Sequence, residues 1–161
     1  MNTLEYCRAR RKEELGAFVR VLKALPEDRL DYRPDPRSRT AGELAWLLVQ
    51  EEASLVALLD QGKVEWAETK PTGSAAEMVA AFEKNAAAVN ERLARLDETG
   101  WEKKGAFVFG GGPPWEQPVR DFVWLWLFDA VHHRGQLSAY LRPMGAKVPS
   151  IYGPSADDSG Q

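Results

Sequence analysis

Residues 122–140 read FVWLWLFDAVHHRGQLSAY, the most apolar stretch of the chain. Wound at about 100° per residue, this run sets Phe122, Leu125, Trp126, Asp129, His133, Gln136 and Tyr140 on one helical face. Its greasiest part, residues 122–131, is too short to span a bilayer and contains Asp129. It reads as a helix buried against other helices of the same chain. A carboxylate and an imidazole one turn apart on such a face need partners. An unpaired charge in apolar surroundings costs several kcal/mol or forces its pKa to shift. Hydrogen bonding, mutual pairing or a bound metal would each answer that need.

Three further helices are legible. The first covers residues 3–25, with Leu15, Phe18, Val19 and Leu22 as its apolar stripe, and Leu25-Pro26 ends it. A turn-rich loop follows, containing Pro26, Asp31, Pro34, Asp35, Pro36 and Ser38. Ser38 or Thr40 caps the second helix, and Glu43 completes a capping box with Thr40. This helix runs to Gln61 and stops at Gly62. Its stripe is Leu44, Leu47, Leu48, Leu55, Leu58 and Leu59, and Glu51 falls near the middle of it. Glu52 lies at the stripe's edge. Ser74 and Glu77 form a second capping box, after which Met78, Phe82, Asn85, Val89, Leu93 and Leu96 share one side of the third helix.

Residues 97–118 break the helical pattern. Trp101, Phe107, Val108 and Phe109 stand among Gly100, Gly105 and Gly110 to Gly112, followed by Pro113, Pro114 and Pro118. This is a long crossover carrying aromatics onto the helices, with room for a short hairpin near 106–109. The fourth helix covers residues 119–141 and Arg142-Pro143 closes it. The tail from about 144 is irregular and long enough to fold back over one end. The expected architecture is all-α: one domain over residues 1–161, a four-helix bundle with a long crossover between helices three and four.

Composition narrows the function classes. The net charge of −3, with acids and bases interspersed, provides no basic footprint for nucleic acid. One cysteine, Cys7, excludes an internal disulfide framework and fits a cytoplasmic protein, and the polar opening residues do not resemble a signal peptide. Gly110 to Gly112 precede prolines rather than a helix, so they are no phosphate-binding loop.

Asp129 and His133, four residues apart, are neighbours on the helix and can share one divalent metal as oxygen and nitrogen ligands. A third ligand must come from another helix, and Glu51 has the right phase. The competing reading is a buried pair that merely organises the core. His132 projects about 100° from His133 and suits either a boundary hydrogen bond or a contact at the site. Arg134 suits an acid or backbone partner, or an anionic substrate.

Three segments carry a family resemblance: S-R-T-A-G-E-L-A-W (38–46), D-A-V-H-H-R-G-Q-L-S-A-Y-L-R-P-M-G (129–145) and V-P-S-I-Y-G-P-S-A-D (148–157). Together with the helix spacing, the chain resembles the DinB/YfiT-like family. That resemblance implies an up-down-down-up bundle, often homodimeric, with a divalent metal commonly held by three histidines. The matching positions here are Leu47, Asp129 and His133, so only His133 keeps the common ligand. Glu51 lies one turn beyond Leu47, about 6 Å along the axis, and can replace it. Glu51, Asp129 and His133 would suit zinc or nickel, or manganese or iron, with His132, Arg134 and Gln136 as outer contacts. Characterised relatives imply transfer reactions of small thiols such as bacillithiol or mycothiol; hydrolysis by metal-activated water is the other enzymatic option. The non-enzymatic alternative is a metal-free bundle that binds a small molecule or serves as a stress-associated interaction module. Aromatics such as Trp66 and Trp115 would fit a homodimer that leaves the cavity open at one end.

Overall fold

A computed structural model describes residues 2–160. Three long helices start at side-chain caps that satisfy their free N–H groups. Asn2 with Glu5 opens α1 (Thr3–Lys23), Thr40 with Glu43 opens α2 (Ala41–Gln61), and Ser74 with Glu77 opens α3 (Ala75–Arg95). Each of these is a reciprocal capping box, so both capping boxes predicted from sequence are present. α2 ends at Gly62, whose left-handed φ of 71° lets its N–H reach the Leu58 carbonyl. The short α4 (Glu98–Glu102) buries Trp101, whose indole N–H donates to Thr3 Oγ1 at 3.0 Å. The last helix, α5 (Val119–Leu141), matches the predicted fourth helix residue for residue.

The all-α expectation needs correction, because a small three-stranded sheet joins the helices. β1 (Lys63–Trp66) pairs in parallel with β2 (Lys104–Phe109), and β2 pairs antiparallel with β3 (Trp115–Pro118). The segment near 106–109 is thus one arm of a hairpin that turns through Gly110 and Gly111, both with positive φ. β1 escapes sequence reading because its four residues bury only Val64 and show no full alternation. Gly105 allows the sheet its close approach to α2, since a Cβ there would lie 2.7 Å from Leu58 Cδ1. β3 runs directly into α5 at Pro118, and the Val119 N–H donates to the Lys103 carbonyl.

Both α1 and α2 pack against α3 and α5. Two apolar clusters result. Phe18, Leu22, Leu44, Leu48, Phe82 and Leu137 belong to one, and Leu55, Leu58, Leu93, Trp101, Phe107 and Phe122 to the other. Burying side chains of this size contributes roughly 1.5–3 kcal/mol apiece. α2 feeds both clusters, and in its sequence Glu51 and Glu52 stand between Leu48 and Leu55. The tail returns across the helices: Arg20 donates to the Ser150 carbonyl, Tyr152 to Glu14, and Arg142 pairs with Asp157. Among the described residues no helix is long and apolar enough to cross a membrane.

Candidate metal centre

Glu51 is held by the apolar stripe of α2 and is almost fully buried. Opposite it, α5 presents Asp129 and His133 from successive turns. His133 Nε2 lies 3.6 Å from Glu51 Oε1 and 3.5 Å from Asp129 Oδ2. One donor atom from each residue falls within 4.8 Å of the other two, so this group could hold a metal ion.

Asp129 departs from the expectation of a buried carboxylate. Its side chain is 53% exposed, and Leu125 one turn earlier is 41% exposed. The α5 face passes from the core into the mouth of a cleft, and Asp129 stands on the rim. That cleft, about 390 Å³, is lined by Glu51, Asp129 and His133 together with Leu47, Trp126 and the aromatics of the sheet. Leu47, at the position where a third ligand is common, forms part of the apolar wall.

The protonation pattern follows from the surroundings. His133 Nδ1 lies 2.9 Å from Gln136 Oε1. An amide oxygen only accepts, so Nδ1 carries a proton, and Nε2 faces the carboxyl groups of Glu51 and Asp129. Burial, and next the charge of Asp129, push the Glu51 carboxyl up to about 9. Glu51 Oε2 is buried with no hydrogen-bond partner. Two carboxyl groups, an imidazole nitrogen and an unmet buried oxygen converging on one point form a donor set that fits a divalent cation. Such a cation would reverse the cause of the Glu51 shift, because its charge favours the carboxylate.

Gln136 therefore touches the site through His133. His132 is exposed, its ring 5.2 Å from that of His133, and it lies outside the donor group. Arg134 is elsewhere altogether. Its buried guanidinium bonds Glu14 and the Tyr152 hydroxyl and rests over the rings of Phe18 and Tyr152. The step of about 100° from His133 turns it toward α1 and the tail. Cys7 is fully buried, and burial pushes its thiol up to about 11, which leaves it a core residue.

Arg39, Trp66, Phe109 and Trp115 also line the cleft. Sequence periodicity could not place them there, because they come from a loop and from all three short strands. Their only sequence signal is large side chains outside the long helices.

Residues 3–161 match the DinB family. The chain belongs to that family. It resembles a DinB-like protein from Bacillus cereus ATCC 10987, whose crystal structure superposes with a TM-score of 0.69 at 26% identity, covering 88% of this chain and 92% of the other. A DinB-like protein of Bacillus subtilis, YjoA, gives a TM-score of 0.67 at 15% identity, covering 88% and 93%. The uncharacterized protein YrdA of Bacillus subtilis is 23% identical over 145 residues, 90% of this chain and 85% of its own length. The DinB fold thus accounts for the long helices, while the Glu51–Asp129–His133 group is read from this chain's own geometry.

Proposed function

We propose that this DinB-family chain is a divalent-metal-dependent enzyme, with Glu51, Asp129 and His133 as ligands and zinc or nickel as the metal. The observation that carries the reading is His133 Nε2 held between two carboxyl groups, one of them with a buried, unpartnered oxygen. A bound ion would supply Lewis acidity, lowering the pKa of a small thiol or of water. The remaining work falls to the chain. Glu51 would give up its proton to hold the ion, Gln136 orients the His133 ring, and Leu47 and Trp126 line one side of the cleft. The rim position of Asp129 leaves the reacting side accessible to a small molecule. S-transfer from a low-molecular-weight thiol is the first reaction class on this reading, and hydrolysis the second. The up-down-down-up order, a cytoplasmic homodimer and a single domain belong to the same proposal.

One observation favours a metal-free binding protein instead: Leu47 occupies a common ligand position and lines the cleft. Elemental analysis of protein purified without a metal-affinity tag separates the two readings. The enzyme reading expects about one divalent ion per chain, lost in both Glu51→Ala and His133→Ala. Metal-free protein whose melting temperature ignores added zinc and nickel would leave the binding-protein reading standing.

A further inference from the structure

Among the described residues six large apolar side chains are exposed, and three of them, Phe109, Trp115 and Leu125, line the cleft that holds the Glu51–Asp129–His133 group. Singly scattered apolar residues are ordinary on a protein surface, whereas a concave cluster marks a binding site. Phe109 is 49% exposed and Trp115 is 37% exposed, and their rings lie 6.4 Å apart at 27°, side by side on the β2–β3 hairpin. Below them Phe107 packs on Trp126 at 4.4 Å, and Trp66 and Leu125 complete the walls. The hairpin tip stands clear of the body, with nothing within 4 Å of a Cβ added at Gly110 or Gly111.

We propose that this cleft takes a flat aromatic small molecule, its rings against Phe109, Trp115 and Trp126 and its polar substituent toward Glu51, Asp129 and His133. The volume of about 390 Å³ suits a one- or two-ring compound rather than a peptide or a long chain. Aromatic walls favour a planar partner, because offset ring contacts add to what area burial alone provides. Charged side chains are confined to the metal-ligating end and to Arg39, which is tied to Glu68 at 3.0 Å, and among the wall aromatics Trp126 Nε1 is a buried donor without a partner. Arg39 has its charge paired with Glu68, and the carboxyl groups of Glu51 and Asp129 at the other end oppose an anionic occupant. The assignment deepens the proposed function by naming the class of its electrophilic substrate, and it rests on that reading for the reaction. Binding itself needs no metal.

The test uses the full chain, metal-free and zinc-loaded, titrated calorimetrically with 2-acetylnaphthalene and with cyclohexyl methyl ketone. Both carry one ketone, and only the first is flat and aromatic. The expected result is a preference of roughly tenfold for the naphthyl ketone in both forms of the protein. Phe109→Ala/Trp115→Ala should erase that preference and leave zinc stoichiometry unchanged. Trp115→Leu, which keeps apolar bulk and removes a ring, should reduce it. Equal affinity for the two ketones, or a preference that survives the double substitution, overturns the proposal. So does a wild-type dimer that binds neither ketone and dissociates in the double variant, since the aromatics would then form a subunit interface. If zinc fails to bind while the aromatic preference holds, the metal reading falls and the cleft assignment stands.

Discussion

Glu51 and Glu52 are consecutive residues of one helix, both buried, and they meet opposite fates. Glu52 accepts a hydrogen bond from Arg11 Nη2 at 2.5 Å, and Arg11 also reaches Asn90 Oδ1 at 3.4 Å. The pair is closed on itself between α1, α2 and α3. Glu51 has no cation of its own. It faces the His133 ring nitrogen and a second carboxyl group, and keeps one oxygen without a partner. A buried acid with an arginine at bonding distance holds the fold together. A buried acid among other metal-ligand types, beside an open cleft, holds a place for something else.

Removing one partner from each site should widen that contrast. Arg11→Met leaves the Glu52 charge buried and alone, and the expected loss is about 3–5 kcal/mol in a urea titration. Glu51→Gln, in the metal-free protein, should instead cost under about 1 kcal/mol, since at neutral pH Glu51 is already uncharged. A similar loss in both variants would break the comparison.

Glu51 should also make the stability depend on pH. The Glu51 carboxyl is raised from its ordinary value of 4.5 to about 9, so between those limits the folded chain keeps a proton that the unfolded chain has released. Its contribution is fully present below the unfolded value and is lost as pH rises through that window. Metal-free protein should therefore lose stability from pH 5 toward pH 9, by at most about 1.4 kcal/mol per pH unit from this group. Glu51→Gln should flatten the slope, as read by denaturation across that range. A slope unchanged by the substitution would assign the effect to other groups.

Smaller effects separate the outer contacts. Gln136→Ala should weaken metal binding roughly 10- to 100-fold with little change in metal-free stability, because Gln136 acts through His133. Tyr152→Phe, by contrast, should cost about 1 kcal/mol of stability and leave metal affinity alone. The Tyr152 hydroxyl serves the Arg134–Glu14 pair, away from the cleft.

What the sequence makes legible follows from periodicity. The long helices could be read because an apolar stripe repeats over several turns and Thr40, Ser74 and Gly62 punctuate it. Phase also brought Glu51 into register with Asp129 and His133. Phase could not say how deep a face lies, so Asp129 and Leu125 looked buried although they stand at a cleft mouth. It could not see β1, whose pairing with β2 joins residues about forty apart through hydrogen bonds that leave no local pattern. Arg134, adjacent to His133 in sequence, takes a different direction on the helix and meets the acid Glu14, the kind of partner its sequence setting suits. The cleft's aromatic wall depends wholly on the sheet, and was invisible for the same cause.

The central claim is that Glu51 completes a metal site with Asp129 and His133. Zinc titration calorimetry at pH 7, repeated in buffers of different ionisation enthalpy, tests it most directly. The account predicts one zinc per chain, release of about one proton as Glu51 ionises, and loss of both signals in Glu51→Gln. Zinc binding of unchanged affinity in Glu51→Gln, with the proton release intact, would contradict it.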